Sequence, residues 1–155
     1  MIKQVSQIRT GSPQGQCTEA SYASILKVPL DEIPDLYTGD PKTPRSDERW
    51  IAMHDYLREV HGVKICHIVI DRWSPFKEKD MYIPWLTEPH TITGHNLDGV
   101  PHMVVGFKGE MIWDPNPQRR GLVDMDGIEF LLGRALMTQE FWDLPYGLTI
   151  TMEDV

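Results

Sequence analysis

A cysteine at the junction between a loop and a helical pattern constrains this chain more than any other feature. Residues 11–16 carry two glycines and a proline and predict a loop. From Cys17 onward the small residues Ala20, Ala23 and Ser24 recur at helical spacing, which favours a buried central helix packed closely on a sheet. The positive end of the helix dipole stabilises a thiolate, and the loop leaves the sulfur accessible. Since a lone cysteine is more often a small core residue, other residues must decide between the two interpretations.

Length and composition exclude several classes of protein. The 155 residues predict a single domain, residues 1–155, with a core that needs no disulfides. The two cysteines are too few for a disulfide framework, and the sequence does not open with a charged segment followed by an apolar one, so we expect a cytoplasmic protein. Its longest apolar runs are far shorter than the roughly 20 residues of a membrane helix, so we expect no binding to membranes. A formal charge of -8, with no basic cluster longer than Arg119-Arg120, argues against nucleic acid as a partner. The oligomeric state stays open.

Periodicity and capping residues predict a mixture of helices and strands. The clearest helix lies within residues 46–62, because Ser46 can cap it and Gly62 can end it. The buried stripe of this helix is predicted to contain Trp50, Met53, Leu57 and Val60. The β-branched residues of 63–70 predict a strand. Further patterns predict an extended arm or edge strand at 2–9, a short helix at 29–36, a helix near 128–136, a turn at 138–142 and a strand at 148–152.

Two further stretches are candidates for a binding function. Cys66 and His67 are metal-ligand types, but neighbouring strand residues point to opposite faces and no second ligand pair accompanies them. The sequence therefore predicts no metal site and no cofactor. Residues 73–90 are rich in proline and aromatic residues without periodicity, which predicts a long ordered loop near the site. Within it, Trp73 and Trp85 are candidates to line a substrate groove, although aromatic loop residues as often close the edge of a core.

A predicted hairpin places an imidazole opposite a carboxylate. Residues 107–109 predict a three-residue loop with glycine at the left-handed position, which pairs Gly106 with Glu110. The same register pairs His102 with Asp114 on one face, with Cβ atoms about 5 Å apart. A carboxylate bound to one nitrogen of the ring leaves the other nitrogen free to act as a base. With the Cys17 thiol as nucleophile, His102 would be the base and Asp114 the residue that orients it. Asn116 is the reserve orienter.

Each member of this set also has an ordinary structural explanation. Taken singly, His102 can be a core histidine and Asp114 a turn residue before Pro115. Their common face, combined with a thiol at the start of a helix, favours catalysis. The remaining histidines have no partner at a readable spacing and are predicted to be surface or loop residues: His54, His61, His90 and His95.

The order and surroundings of these residues form a familiar pattern. Its parts are Gln7, Gly15-Gln16-Cys17 with Ala20, Ser24 with Leu26, residues 29–34, Pro101-His102 with Val104-Val105-Gly106, and Trp113-Asp114-Pro115. The pattern resembles the papain-like cysteine peptidase superfamily, most closely its compact bacteriocin-processing (double-glycine peptidase) type and related short bacterial and phage proteins. This resemblance implies an α+β domain in which the cysteine-bearing N-terminal helix packs on a mostly antiparallel sheet.

The resemblance also implies roles and a reaction. Cys17 would be the nucleophile, His102 the general base and later acid, and Asp114 the orienter of His102. The implied reaction is hydrolysis of a peptide or small amide through a thioester, without a cofactor. Two alternatives remain open: an acyl- or amido-transferase on the same scaffold, in which an amine replaces water, and a non-catalytic binding protein of the phage type.

A glutamine is the expected side-chain donor of the oxyanion hole. Members of the superfamily commonly place it about six positions before the cysteine, where it acts beside the cysteine's own backbone N–H. This chain has Gly11 there. Gln7 is the first candidate if residues 11–15 are an insertion, and Gln16 or Gln14 is the fallback.

Overall fold

The computed structural model describes residues 2–11, 14–69 and 87–151, which form a mixed α+β structure around one open six-stranded sheet. The strands lie in the order β4-β3-β2-β5-β1-β6, and all neighbours are antiparallel except β1 and β6. The strands are β1 (Val63–Val69), β2 (His90–His95), β3 (Pro101–Phe107), β4 (Glu110–Trp113), β5 (Gly127–Gly133) and β6 (Leu148–Thr151). The helices are α1 (Cys17–Leu26), α2 (Asp47–His61) and α3 (Gln139–Asp143), with 3-10 turns at Leu30–Glu32 and Arg134–Leu136.

Helix α1 is the buried central helix that the sequence predicts. Its small residues Ala20, Ala23 and Ser24 are fully buried, so the helix lies close to β3 of the sheet. Tyr22 is also fully buried, and its hydroxyl donates to the carboxylate of Glu129 on β5 at 2.8 Å. The helix begins at Cys17, and this packing therefore fixes the position of the cysteine relative to the sheet.

Helix α2 begins and ends as predicted. The Ser46 hydroxyl accepts from the backbone N–H of Arg49, and Gly62 ends the helix at a φ of 65°. Met53 and Leu57 are fully buried in the core between α1, α2 and the sheet. Val60 is 60% exposed and does not belong to the cluster that contains Met53 and Leu57, so its predicted place in the stripe is wrong.

Three other predictions about elements are corrected by the structure. The helix expected near 128–136 is strand β5, which lies between β2 and β1. A short apolar run such as this one has no periodicity that separates a buried helix from a buried strand. The turn at 138–142 contains the short helix α3, and the short helix expected at 29–36 is reduced to one 3-10 turn. The predicted strands at 63–70 and 148–152 are confirmed within their described residues as β1 and β6.

Residues 2–9 form the extended arm, one of the two alternatives that the sequence left open. The arm binds α1 through the Lys3 N–H, which donates to the Ser24 carbonyl at 3.0 Å. It binds the end of the hairpin through the Gln7 N–H, which donates to the Pro115 carbonyl at 2.9 Å. The arm thus joins the start of the chain to both elements that carry the predicted site residues.

The candidate groove residues Trp73 and Trp85 lie outside the described residues. Among the helices that the structure describes, none has both the length and the apolar character needed to cross a bilayer.

Candidate active site

His102 and Asp114 make the contact that the sequence predicts. The His102 Nε2 lies 2.8 Å from the Asp114 Oδ1, and both side chains are buried. The same carboxylate accepts the backbone N–H of Asn116 at 2.9 Å on Oδ1 and that of Gly121 at 2.8 Å on Oδ2. Three donors therefore surround Asp114 and hold its carboxylate in one orientation.

The register that brings the two side chains together differs from the predicted one. Phe107 pairs with Glu110 across the two-residue turn Lys108-Gly109, in which both residues have positive φ (54° and 78°), as hairpin turns of this length require. That turn alone would move Asp114 to the other face of the hairpin. An irregularity between Val105 and Gly106 shifts the ladder by one more residue and restores the face. The predicted register is wrong, and the predicted His102–Asp114 contact is confirmed.

Cys17 lies close to the His102 ring. Cys17 is half-buried at the first residue of α1 and lines the same two cavities as His102, close enough to the ring to raise its pKa. Burial by itself lowers the pKa of His102, but the hydrogen bonds and charges of Asp114 and Cys17 outweigh it and raise the pKa to about 9. The imidazole therefore keeps its proton at neutral pH.

Cys17 lines two adjacent cavities, which share six of their lining residues and together form a cleft. One, the Arg45 cavity, has a volume of about 350 Å³ and is also lined by Trp50, Gly94 and Asp126. The other, the Ile8 cavity, has a volume of about 480 Å³ and is lined by the arm, by the β2–β3 turn and by the loop after β4. The two cavities share the residues Gly11, Gly15, Cys17, Val100, Pro101 and His102. A substrate group bound at the thiol thus has room on both sides.

Among the candidate oxyanion donors, Gln7 is the one that lines this cleft. Its side chain is 4% exposed and lies in the wall of the Ile8 cavity. Its Nε2 donates to the Arg9 carbonyl at 2.9 Å, and its Oε1 has no partner among the described residues. The Gln16 Oε1 accepts the backbone N–H groups of Ile8 and Arg9, and Gln16 lines neither cavity. The Gln14 Nε2 donates to the Thr10 carbonyl.

A tight turn before the cysteine brings Gln7 to the site. The Gly15 N–H donates to the Gly11 carbonyl at 2.8 Å, so these two glycines lie in contact between the arm and α1. A Cβ at Gly15 would lie 2.5 Å from the Gly11 oxygen, so this close approach requires glycine. The arm stays beside the start of α1, because the Gln16 N–H donates to the Arg9 carbonyl at 3.2 Å and the Gln16 Oε1 accepts from the backbone of Ile8 and Arg9.

Arg45 is a cleft residue that the sequence analysis missed. Its Nη2 donates to the Gly15 carbonyl at 3.3 Å and lies 4.0 Å from the Oε1 of the buried Glu19. Burial raises the pKa of Glu19, and Arg45 lowers it by a smaller amount. The loop that carries Arg45 has no periodicity or motif, so no signal in the sequence connects it with the cysteine.

The predictions for several neighbouring polar residues are also corrected. His90 is fully buried on β2, and His95 ends that strand with its Nδ1 3.1 Å from the Asp124 carboxylate, so neither is a surface or loop residue without a partner. The Asn116 Oδ1 accepts from the Gln118 N–H within a turn, so Asn116 does not take the place of the orienter. The His95–Asp124 pair was missed because 29 residues separate its members.

No group of three or more histidine, cysteine, aspartate or glutamate side chains is arranged to hold a metal ion in the part of the chain that the structure describes. Comparisons of the chain with models of protein families, with curated proteins and with solved structures gave no match. The geometry of the cleft is therefore the basis for a functional conclusion.

Proposed function

We propose that the protein is a cysteine-dependent hydrolase of the papain-like type that cleaves an amide bond in a peptide or small amide. The observation that carries the proposal is that His102 is bound to the Asp114 carboxylate at 2.8 Å and lines the same two cavities as Cys17, which lies close enough to raise the pKa of the ring. A thiol, a base and an orienting acid in this order are the parts of an activated nucleophile.

The proposed reaction uses Cys17 as the nucleophile and His102 as the acid and base. The Cys17 thiolate attacks the carbonyl carbon of the amide and forms a C–S bond, while the carbonyl oxygen becomes an oxyanion. The His102 imidazolium then gives its proton to the amide nitrogen, the C–N bond breaks, and the amine leaves a thioester on Cys17. Water attacks the thioester as His102 accepts one of its protons. The C–S bond breaks, and a carboxylic acid and the thiolate result.

Two donors near the thiol are assigned to the oxyanion. The Cys17 backbone N–H belongs to the first turn of α1, where N–H groups have no acceptor within the helix. The Gln7 amide can donate its second N–H into the cleft, because its first is bound by the Arg9 carbonyl. Donors placed where charge develops in the transition state typically contribute about 10²–10³-fold to the rate.

Alkylation with iodoacetamide tests the activated thiol without knowledge of the substrate. Cys17 is expected to react selectively near neutral pH, because it lies in the cleft beside the protonated His102 ring. Cys66 is buried, and burial raises its pKa. In the His102→Ala variant, the rate at Cys17 should fall by roughly tenfold or more. Mass spectrometry of the two cysteine peptides across a range of pH measures both rates.

The Cys66→Ala variant is the matched control and should leave the rate at Cys17 unchanged. Equal reactivity of the two cysteines, or a Cys17 rate that ignores His102, would contradict an activated nucleophile. Hydrolysis itself is tested with a library of internally quenched peptides, where Cys17→Ser should abolish any cleavage by the wild type. A reactive Cys17 that cleaves nothing, even with added amines, would favour the non-catalytic alternative.

A further inference from the structure

The Ile8 cavity carries an apolar side chain that the fold does not use. Ile8 lies in the wall of this cavity, yet 83% of its surface is exposed, which makes it the most exposed large apolar residue among those described. Single exposed apolar residues are common on protein surfaces. This one differs because it borders the cleft that contains Cys17 and His102.

The backbone around Ile8 is held in place on both sides. The Gln7 N–H donates to the Pro115 carbonyl, and the N–H groups of Ile8 and Arg9 both donate to the Gln16 Oε1, at 3.3 and 3.0 Å. The Arg9 guanidinium is further bound to Asp35 at 2.6 Å. The side chain of Ile8 is thus presented from a fixed backbone, so binding a group against it requires little additional ordering.

The other residues of the cavity favour an apolar group over a charged one. Its charged side chains are already paired: Asp114 with His102 at 2.8 Å, and Asp98 with Arg120 at 3.5 Å. Its apolar lining consists of Ile8, Val100, Pro101 and Pro117. A charged substrate group would have to compete with an existing ion pair, whereas an apolar group gains contact with Ile8 and loses water from both surfaces.

We propose that Ile8 forms a specificity site for an apolar side chain of the substrate, on the arm side of the thiol. This inference rests on the proposed function, since it assigns a substrate group to the same cleft. The substrate is then a polypeptide, or an amide of similar size, with an aliphatic or aromatic side chain beside the bond that is cleaved. Ile8 is a binding residue in this scheme and takes no part in the chemistry.

The test compares two alkylating reagents that differ in one apolar group, iodoacetamide and N-hexyl iodoacetamide. The rate constant of each at Cys17 is divided by its rate constant with N-acetylcysteine, which removes differences in intrinsic reactivity. In the wild type, the normalised rate should be roughly tenfold higher for the hexyl reagent, the size of effect that an apolar contact of this kind brings. In the Ile8→Gln variant, this preference should fall to about one- to twofold.

The matched control is Ile51→Gln, which removes another exposed isoleucine, 44% exposed on α2 and outside both cavities. It should keep the full preference, and Ile8→Ala should lose it as Ile8→Gln does. The absence of a preference in the wild type, or a preference that survives both Ile8 substitutions, would overturn the proposal. Failure of the proposed function gives a different result, since it is seen as an iodoacetamide rate that does not depend on His102.

Discussion

Asp114 is the residue whose charge matters most for the site. All three groups that contact its carboxylate are donors: the His102 ring and the backbone N–H groups of Asn116 and Gly121. Burial raises the pKa of Asp114, but these hydrogen bonds and the charge of His102 lower it further than burial raises it. The carboxylate is therefore ionised at neutral pH, and it helps His102 to keep its proton.

The Asp114→Asn variant separates the charge from the shape of this side chain. The amide must turn an N–H toward one of the three donors, so the free energy of unfolding should fall by about 1–3 kcal/mol. The pKa of His102 should fall below its wild-type value of about 9, since Asp114 is one of the two groups that raise it. Titration of the His102 ring by NMR measures the pKa, and any amide hydrolysis should decrease by as much as roughly 10⁴-fold.

Asp124→Asn is the matched control, because Asp124 binds the ring of His95 as Asp114 binds that of His102. It should leave the His102 titration unchanged. An Asp114→Asn variant with an unaltered His102 pKa would show that the carboxylate does not set the proton affinity of the site.

The hairpin shows which parts of an element the sequence could predict. The loop with glycine at position 109, and the register counted from it, identified the hairpin and the shared face of His102 and Asp114. The two-residue turn and the ladder irregularity could not be predicted. Each shifts the register by one residue in the same direction, and a total shift of two residues returns Asp114 to the face of His102. The contact was thus predicted through a register that is wrong.

A buried histidine supports the turn of this hairpin. The His90 Nε2 accepts the Gly109 N–H at 3.1 Å, and its Nδ1 lies 3.1 Å from the Thr91 carbonyl, an arrangement that fits the neutral ring. Burial lowers the pKa of His90. The folded state therefore binds this proton less tightly than the unfolded chain, and the stabilising contribution, fully present above the unfolded value of about 6.5, is lost as the pH falls.

The His90→Gln variant should make stability less dependent on pH. Glutamine cannot titrate, so the decrease in the free energy of unfolding between about pH 7.5 and pH 5 should be smaller in the variant than in the wild type, by roughly 1 kcal/mol. Urea unfolding at both pH values gives the two differences. His61→Gln, at the end of α2, is the control for loss of an imidazole, and an unchanged slope in His90→Gln would contradict the assignment.

The molecule as a whole depends on the docking of α1 on the sheet, because α1 begins at Cys17 and packs on β3, the strand that carries His102. The small residues of α1 predicted close packing, and the packing is confirmed. The polar contact inside that packing could not be predicted, since 107 residues separate Tyr22 from Glu129 and neither lies in a motif. For the same reason, Arg45 was absent from the predicted site and the His95–Asp124 pair was not predicted, whereas Cys17, His102 and Asp114 were identified by residue type and local pattern.

Glu129 makes this docking sensitive to pH. Its carboxylate accepts from the Tyr22 hydroxyl at 2.8 Å and lies in a buried position, and burial raises its pKa above the ordinary 4.5. Tyr22 and Thr91 lower the pKa by smaller amounts through their hydrogen bonds, as does the charge of His67. Because the folded state binds the proton more tightly than the unfolded chain, the free energy of unfolding decreases as the pH rises from about 4.5 through the folded pKa.

The Glu129→Gln variant should therefore be more stable than the wild type at neutral pH. The amide oxygen can still accept from Tyr22, and no buried charge remains, so a gain of about 1 kcal/mol or more is expected at pH 7.5. The gain should shrink toward pH 4.5, where the wild-type carboxyl holds its proton. Tyr22→Phe, which removes the donor and leaves the acid, should lower stability at both pH values. The measurement is the free energy of unfolding of the variant minus that of the wild type at each pH. If this difference is more negative at pH 7.5 than at pH 4.5, the ionised carboxylate stabilises the docking of α1 and the prediction is wrong.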